Sequence, residues 1–373
     1  MKKSIFPAIV VSVFFLFAAC SNSANTDPYE YDDDTQPVVI QPVVVQAGDL
    51  SIHFLELGNK YTGDCVYINY GEVDIIIDAG SKQSSAATIK AYIDNYIQDD
   101  KLEYVIATHA HEDHISGFYS TTQTKGILEV YEIGTIIDFP RTNSTTATYN
   151  NYVRARENAV ERGAVHYTAL QCYNNEDGAR RIYDLDDYGD AKLEILYNHY
   201  YDNDEPSKNE NNYSVCVRII QGEHMYVFTG DLEKDGEDRL ADFYESTGGL
   251  GHCVLYKGGH HGSNTSSNEK LMAAISPEYV CVCTCCGSSE YNASAPNVFP
   301  SQGFINRVAP YTDKVYVTTL VTDYIGNQYE PLNGNIVFLI SDDHVYLNCS
   351  NNDRKLKDTE WFLNNRTLPA AWM

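Results

Sequence analysis

The stretch Thr108-His109-Ala110-His111-Glu112-Asp113-His114 gathers three imidazoles and two carboxylates into a few positions of a 373-residue chain. Imidazole nitrogen and carboxylate oxygen together suit Zn²⁺, Mn²⁺ or Fe²⁺, whereas a structural zinc site draws on thiolates. The whole chain holds only 11 histidines, so a surface loop that carries three by chance is a poor account of the cluster. In an extended turn His109 and His111 point to one side. Asp113 and His114 open the next helix and can face a second ion. Two later stretches have matching chemistry. Thr229-Gly230-Asp231 ends an apolar run with a carboxylate, and Gly258-Gly259-His260-His261-Gly262-Ser263 sets paired histidines among glycines. Two cations about 3.5–4 Å apart can polarise a phosphoryl or carbonyl oxygen and bring the pKa of a bridging water towards neutrality. Hydrolysis of an ester-like bond is the chemistry these residues suggest.

Such residues must be carried on strand ends. The apolar run 102–107 reads as a buried strand leading directly into the histidine cluster. Period-two and apolar patterns predict strands at 51–55, 65–70 and 73–77, within 127–139, and at 192–197, 213–220, 224–229, 253–256, 279–285, 314–318, 335–340 and 344–347. Helical spacing appears at 85–97, with Ile89, Tyr92, Ile93 and Ile97 on one face, and again at 149–162, 234–244 and 302–308. Strands in two groups with helices between them imply two sheets packed face to face and sheathed by helices.

The ends of the chain read differently. Residues 1–20 form a leader: Lys2 and Lys3, an apolar run from Ile5 to Phe17, then Ala18-Ala19-Cys20. Leu16-Phe17-Ala18-Ala19-Cys20 looks like a bacterial lipobox with Cys20 as the lipidated residue, ordinary secretion being the fallback. Phe17 is an unusual residue for the aliphatic lipobox position. Residues 21–47 are polar, include Asp32-Asp33-Asp34, and read as a disordered tether. Residues 48–350 form the folded domain, and 351–373 a tail that packs on it. The expected location is extracytoplasmic, with the membrane reached through Cys20.

The formal net charge is −26, from 52 acidic and 26 basic residues. Such a surface repels polyanions at long range, which disfavours nucleic acid as a partner unless a local basic patch offsets it. The ten cysteines do not form a disulfide framework. Cys281, Cys283 and Cys285 alternate, so they share one face of a strand and read as buried thiols.

Taken together, Asp78-Ala79-Gly80, His109-x-His111-x-Asp113-His114, Asn211-Asn212-Tyr213-Ser214, Thr229-Gly230-Asp231 and His260-His261-Gly262-Ser263 resemble the metallo-β-lactamase fold superfamily. More narrowly, they look like the hydrolase domain of the competence protein ComEC and its secreted relatives. The resemblance spans residues 48–347 and implies an α/β fold, a four-layer αβ/βα sandwich of two mixed β-sheets flanked by helices. It also implies two divalent metal ions, Zn or Mn, or one only. His109, His111 and Asp231 would hold the first, and Asp113, His114, Asp231 and His260 the second. His261 is the alternative ligand or a proton donor. The wider superfamily places a further histidine on the first ion in a Gly-His-Thr segment; here that slot holds Asn211 to Ser214. Asn212 is then the candidate polar lining residue, and His199 a substitute ligand. Ala295 stands where the subgroup often has histidine. Asp113 would orient the attacking water, and His261 or His199 would protonate the leaving oxygen.

The function expected on these grounds is that of a lipid-anchored, metal-dependent phosphodiesterase acting on a small phosphodiester or an envelope phosphoester. Two alternatives remain open: hydrolysis of a carboxyl substrate such as a β-lactam, thioester or lactone, and a non-catalytic metal-binding surface lipoprotein.

Overall fold

Valine, isoleucine, tyrosine and phenylalanine fill the segments that become strands, and turn residues bound them. The computed structural model describes residues 48–186, 190–291, 294–341 and 344–373. The expected leader, Cys20 and the tether therefore lie outside the described residues. The chain first lays down β1 (Leu50–Phe54), β2 (Val66–Tyr70), β3 (Val73–Ile77), β4 (Lys101–Ala107), β5 (Glu132–Asp138) and β6 (Val165–Thr168). It then crosses to a second sheet with β7 (Ile182–Asp184), β8 (Ala191–Ile195), β9 (Val217–Gln221) and β10 (His224–Phe228). That sheet continues with β11 (Leu255–Lys257), β12 (Tyr279–Cys286), β13 (Val315–Asp323) and β14 (Gln328–Pro331). Finally β15 (Ile336–Ser341) and β16 (His344–Cys349) return to the first.

Among the described residues each sheet has eight strands, ordered β16-β15-β1-β2-β3-β4-β5-β6 and β14-β13-β12-β11-β10-β9-β8-β7. Both are mixed. In the first, β3 to β6 run parallel and the other pairs antiparallel. In the second, β10 to β13 run parallel. Parallel neighbours need crossovers, and helices supply them: Ser85–Ile93 between β3 and β4, Ala147–Glu161 between β5 and β6, Lys234–Thr247 between β10 and β11. Glu269–Ile275 and Gln302–Val308 serve β11 to β12 and β12 to β13. This is the αβ/βα sandwich expected from sequence. Its consequence is positional: β3, β4, β10 and β11 each end in a polar loop, and those loops meet.

The period-two pattern of β12 is realised as two faces. Cys281 and Cys283 join the core shared with the first sheet, where Phe54 and Phe228 stack at 6.3 Å. Val280, Val282 and Cys286 face a second core built with Leu240, Leu271 and Phe304 from the covering helices. All nine described cysteines are free thiols. Phe362 and Trp372 of the tail are buried in that second core, and the Trp372 indole donates to the Thr312 carbonyl at 2.8 Å. Among the described residues no helix is long and apolar enough to cross a membrane.

Several boundaries differ from the sequence expectation. The helix from Ser85 ends at Ile93, because Asn95 and Tyr96 bond back three residues, to the Tyr92 and Ile93 carbonyls. The strand expected at 213–220 begins only at Val217. Glu210–Tyr213 is instead a 3-10 turn, capped by the Asn209 side chain, which accepts from the Asn211 amide. The strands β6, β7 and β14 and the helices Ala169–Asn174, Glu269–Ile275 and Glu360–Asn365 were not expected; they are too short to show a period.

His53 on β1 gives the fold a pH dependence. It is fully buried, with Nδ1 on the Tyr92 hydroxyl and Nε2 on the Ser51 hydroxyl, both at 2.8 Å. Burial lowers its pKa from 6.5 to about 3. Between those values the unfolded chain takes up a proton that the folded chain refuses, so stability present above pH 6.5 is lost as the pH falls. The expected slope from this group is up to about 1.4 kcal/mol per pH unit. Urea unfolding across that range should show a shallower slope for His53→Gln. An unchanged slope would assign the effect to other groups.

Candidate metal centre

After β4 the chain turns sharply. His109 is fully buried, and its Nε2 lies 3.0 Å from His111 Nδ1. Two ring nitrogens this close aim at a common point. Ligands about 2.0–2.1 Å from a tetrahedral zinc stand roughly 3.3 Å apart from one another. Three other spacings in the cleft fall in the same range. His114 Nε2 is 3.1 Å from Asp231 Oδ2, and His261 Nε2 is 3.3 Å from the same oxygen and 3.2 Å from Asp113 Oδ2. Asp231 Oδ1 is buried with no hydrogen-bond partner. The donors, their spacing and this orphaned oxygen fit a divalent cation. One donor atom each from Asp64, His114, Asp231 and His261 lies within 4.8 Å of the others.

Backbone contacts hold the loops in place. The Asp64 amide donates to the Asp113 carbonyl at 3.0 Å, the Ala79 amide to the His114 carbonyl at 2.8 Å, and the Gly80 amide to the Asp64 carbonyl at 2.7 Å. A side chain at Gly80 would lie 2.5 Å from the Asp113 carbonyl oxygen, so only glycine admits this approach. On the other sheet, Gly230 (φ 55°) turns the chain after β10, and the Asp231 amide donates to the Ser214 hydroxyl at 3.1 Å.

Outer contacts orient the rings. His114 Nδ1 donates to Asp78 Oδ2 at 2.7 Å, which leaves Nε2 to face Asp231. Asp78 also accepts the Thr108 amide and hydroxyl, each at 2.8 Å. His261 Nδ1 donates to the Cys283 carbonyl at 2.9 Å, with Asp64 Oδ1 alongside at 3.0 Å. Lys257, itself buried, pairs with Asp64 Oδ2.

Burial alone would lower the pKa of His114, but Asp231, Asp78 and Asp113 hold it well above the usual imidazole value. His261 behaves likewise, burial being outweighed by Asp231 and Asp64. For Asp113 and Asp231 burial would raise the pKa, yet both stay below the carboxylate range, His114 and His261 contributing most. His109 goes the other way, its pKa lowered by burial and then by His114 and His111. The cleft thus strongly favours positive charge on the Asp113–Asp231 side and a neutral ring at His109.

The structure brings His109, His111, Asp113, His114, Asp231, His260 and His261 together, but it separates the last two. His261 Nε2 faces Asp113 and Asp231, whereas His260 Nε2 stands 3.8 Å from Asp231 Oδ2, with Nδ1 3.3 Å from Glu233 Oε1. Asn212 is turned away: its amide oxygen accepts from the Glu233 amide at 3.1 Å and its nitrogen points to Glu205. Asn211 is the residue that reaches the centre, 2.9 Å from Glu233 and 3.5 Å from His260. Both residues lie in the 3-10 turn Glu210–Tyr213, where an extended strand was expected, and within that turn the two side chains take different partners. His199 packs against Tyr200 with Nδ1 near the Tyr197 hydroxyl, and none of these contacts reaches the cluster. Asp64, Lys257 and Tyr291 were not singled out from sequence. The Tyr291 hydroxyl donates to Asp113 Oδ2 at 2.8 Å, and the residue is 53% exposed. Only Gly63 before Asp64, permitting close backbone approach, could have drawn attention to that segment.

A two-sheet αβ/βα sandwich whose sheets contribute imidazoles and carboxylates to one buried cluster defines a class of metal-binding hydrolase folds. The profile described as the metallo-beta-lactamase superfamily matches residues 58–285, and the chain belongs to that superfamily. It is similar to the competence protein ComA of Neisseria gonorrhoeae, 34% identical over 111 residues, which are 30% of this chain. The match spans only 15% of that protein's length. Among solved structures it is similar to the metallo-beta-lactamase fold protein YhfI from Bacillus subtilis. The identity there is 11%, over 73% of this chain and 96% of the other, with a TM-score of 0.38. A metallo-β-lactamase of Cronobacter sakazakii matches at 12% identity over 54% of this chain and 72% of its own, with a TM-score of 0.32.

Proposed function

We propose that this protein is a metal-dependent phosphodiesterase, anchored outside the cytoplasm through a lipid on Cys20, that cleaves a small phosphodiester or an envelope phosphoester with a metal-activated water. The observation that carries the proposal is the shared corner at Asp231 Oδ2, which lies 3.1 Å from His114, 3.3 Å from His261 and 4.0 Å from His109. One carboxylate between two groups of donors suits two cations. Charge supports the same arrangement. Four buried carboxylates, Asp64, Asp78, Asp113 and Asp231, face a single buried ammonium, Lys257. Two divalent ions would more than offset the remaining negative charge and leave a centre that attracts a hydroxide or a phosphodiester monoanion. The resemblance of the His-x-His-x-Asp-His and His-His-Gly-Ser motifs to the ComEC-type hydrolase domain favours the phosphoester.

A divalent pair held here supplies Lewis acidity and a nucleophilic water near neutral pH. The protein's own part is positional. Asp78 fixes the His114 ring, and Asp64 with the Cys283 carbonyl fixes that of His261. Asp113, whose Oδ2 accepts from the Tyr291 hydroxyl and lies 3.2 Å from His261, would orient the water. Tyr291, a half-exposed residue whose hydroxyl donates to Asp113 and whose ring lies 5.8 Å from that of Phe299, would border the bound substrate. His261 is sealed in the cluster and His199 lies apart, so neither is placed to protonate a departing group.

The test is hydrolysis of a chromogenic phosphodiester by the full chain, with and without chelator, beside Asp113→Asn. Expected is turnover that disappears with chelator, returns with Mn²⁺ or Zn²⁺, and falls about 10²-fold or more in the variant, the scale on which a catalytic proton or water contact acts. No turnover with any metal, or turnover of a lactone or β-lactam in its place, would overturn the proposal.

A further inference from the structure

We propose that His260 supplies, through Nε2, the third protein nitrogen for the cation held by His109 and His111. It would thereby fill the role that the Asn211 to Ser214 segment leaves without a histidine. This inference rests on the two-cation function proposed above.

His261 already faces Asp113 and Asp231 with the spacing of a ligand, so His260 is not needed there. The nearest charged group to His260 Nε2 is Asp231 Oδ2 at 3.8 Å, the same oxygen that stands 4.0 Å from His109 Nε2. The other ring nitrogen is engaged: Nδ1 lies 3.1 Å from the Thr265 hydroxyl and 3.3 Å from Glu233 Oε1. A ring whose Nδ1 is held by an outer hydroxyl with a carboxylate alongside, and whose Nε2 is left bare, is oriented as a metal-binding histidine is by its outer contacts. Glu233 is braced in turn by Asn209 at 2.8 Å and Asn211 at 2.9 Å. The asparagine in the superfamily's histidine slot therefore supports His260 from behind instead of binding metal itself.

The backbone agrees. His260 (φ 45°, ψ 53°) and His261 (φ 54°, ψ 24°) both adopt the left-handed conformation. Each such non-glycine residue costs on the order of 1–3 kcal/mol unless its surroundings require it. What the two left-handed residues achieve is to bring neighbouring imidazoles to one oxygen, with His261 at 3.3 Å and His260 at 3.8 Å from Asp231 Oδ2 and ring centroids 5.9 Å apart.

The experiment titrates metal-free full chain with Zn²⁺ against a chromophoric chelator, for wild type, His260→Gly, Glu233→Gln and His261→Ala. Glycine accepts the left-handed backbone, and His260 lies at the open edge of the cleft, so free imidazole can enter the space left. Wild type should take up two equivalents. His260→Gly should bind one of them about 100-fold more weakly and the other within twofold, and imidazole should recover at least tenfold. Glu233→Gln should weaken the same equivalent by about tenfold, the lower end for a lost outer contact. His261→Ala should weaken the other equivalent, without rescue by imidazole. If His260→Gly fails to fold, as its melting would show, Glu233→Gln carries the test. Two wild-type affinities in His260→Gly, or in Glu233→Gln where that variant carries the test, would overturn the inference while leaving the phosphodiesterase proposal standing. A wild-type chain that binds no divalent ion would overturn both.

Discussion

Asp231→Asn is expected to reduce turnover of a phosphodiester on the order of 10³-fold or more, the scale of a lost electrostatic stabiliser, and to weaken every cation in the cleft at once. A loss of that size is about 4 kcal/mol of transition-state stabilisation. The reason is that a single atom serves the whole site. Asp231 Oδ2 lies 3.1 Å from His114, 3.3 Å from His261, 3.8 Å from His260 and 4.0 Å from His109. An asparagine keeps the shape but offers one neutral oxygen, and its amide hydrogens oppose whatever cation approaches the other corner. It also removes the carboxylate that contributes most to holding His114 and His261 charged when no cation is bound. The contrast with His260 is diagnostic, because a change there should affect one equivalent only. Turnover measured beside bound metal gives the answer. An Asp231→Asn protein that retained one equivalent at wild-type affinity would show that the cleft is two independent sites.

Lys257→Met should lower the unfolding free energy of the metal-free protein by about 3–5 kcal/mol, the usual cost of removing one partner from a buried pair. Lys257 and Asp64 are 2% and 1% exposed, and the ammonium also donates to the Gly230 carbonyl at 3.3 Å and approaches Asp231 Oδ1 at 3.9 Å. Burial alone would push its pKa down; Asp64 and Asp231 raise it instead, so the side chain stays charged across the working pH range. Methionine fills the volume of the stem but leaves Asp64 buried without its cation. Asp64→Asn combined with Lys257→Met should recover at least half of the loss, since removing both charges avoids the unpaired state. Urea unfolding in chelator measures both. A single substitution costing less than about 1 kcal/mol would mean that the pair is solvated in solution, as exposed ion pairs of that worth are.

Much of this arrangement is legible in the amino-acid order, for a physical reason. Val105-Ile106-Ala107 before the histidine cluster and Tyr226-Val227-Phe228 before Asp231 are apolar runs that stop abruptly at polar residues, the pattern of buried strands ending at a cleft. The alternation of Cys281 and Cys283 with Val280 and Val282 states which face of β12 meets the other sheet. Other features depend on rotations of a single residue. Whether His260 or His261 turns towards Asp113 is decided by two left-handed residues, and whether Asn211 or Asn212 reaches the centre is decided by a 3-10 turn. Residue types do not report either. Asp64 stays hidden for another reason. Its meaning lies in Lys257 and His261, which only the folded chain brings to it.

The donors of the centre belong to two halves of the sandwich: His109 to His114 follow β4 of one sheet, and Asp231, His260 and His261 follow β10 and β11 of the other. Neither half alone owns a complete chelate. The full donor set is therefore assembled only where the two sheets are docked. A cation bound there would act as a rivet through the seam. Because it recognises only the docked arrangement, its binding free energy is added to the cohesion between the sheets. Competence and integrity would become one event: opening the seam would release the ion, and losing the ion would loosen the seam.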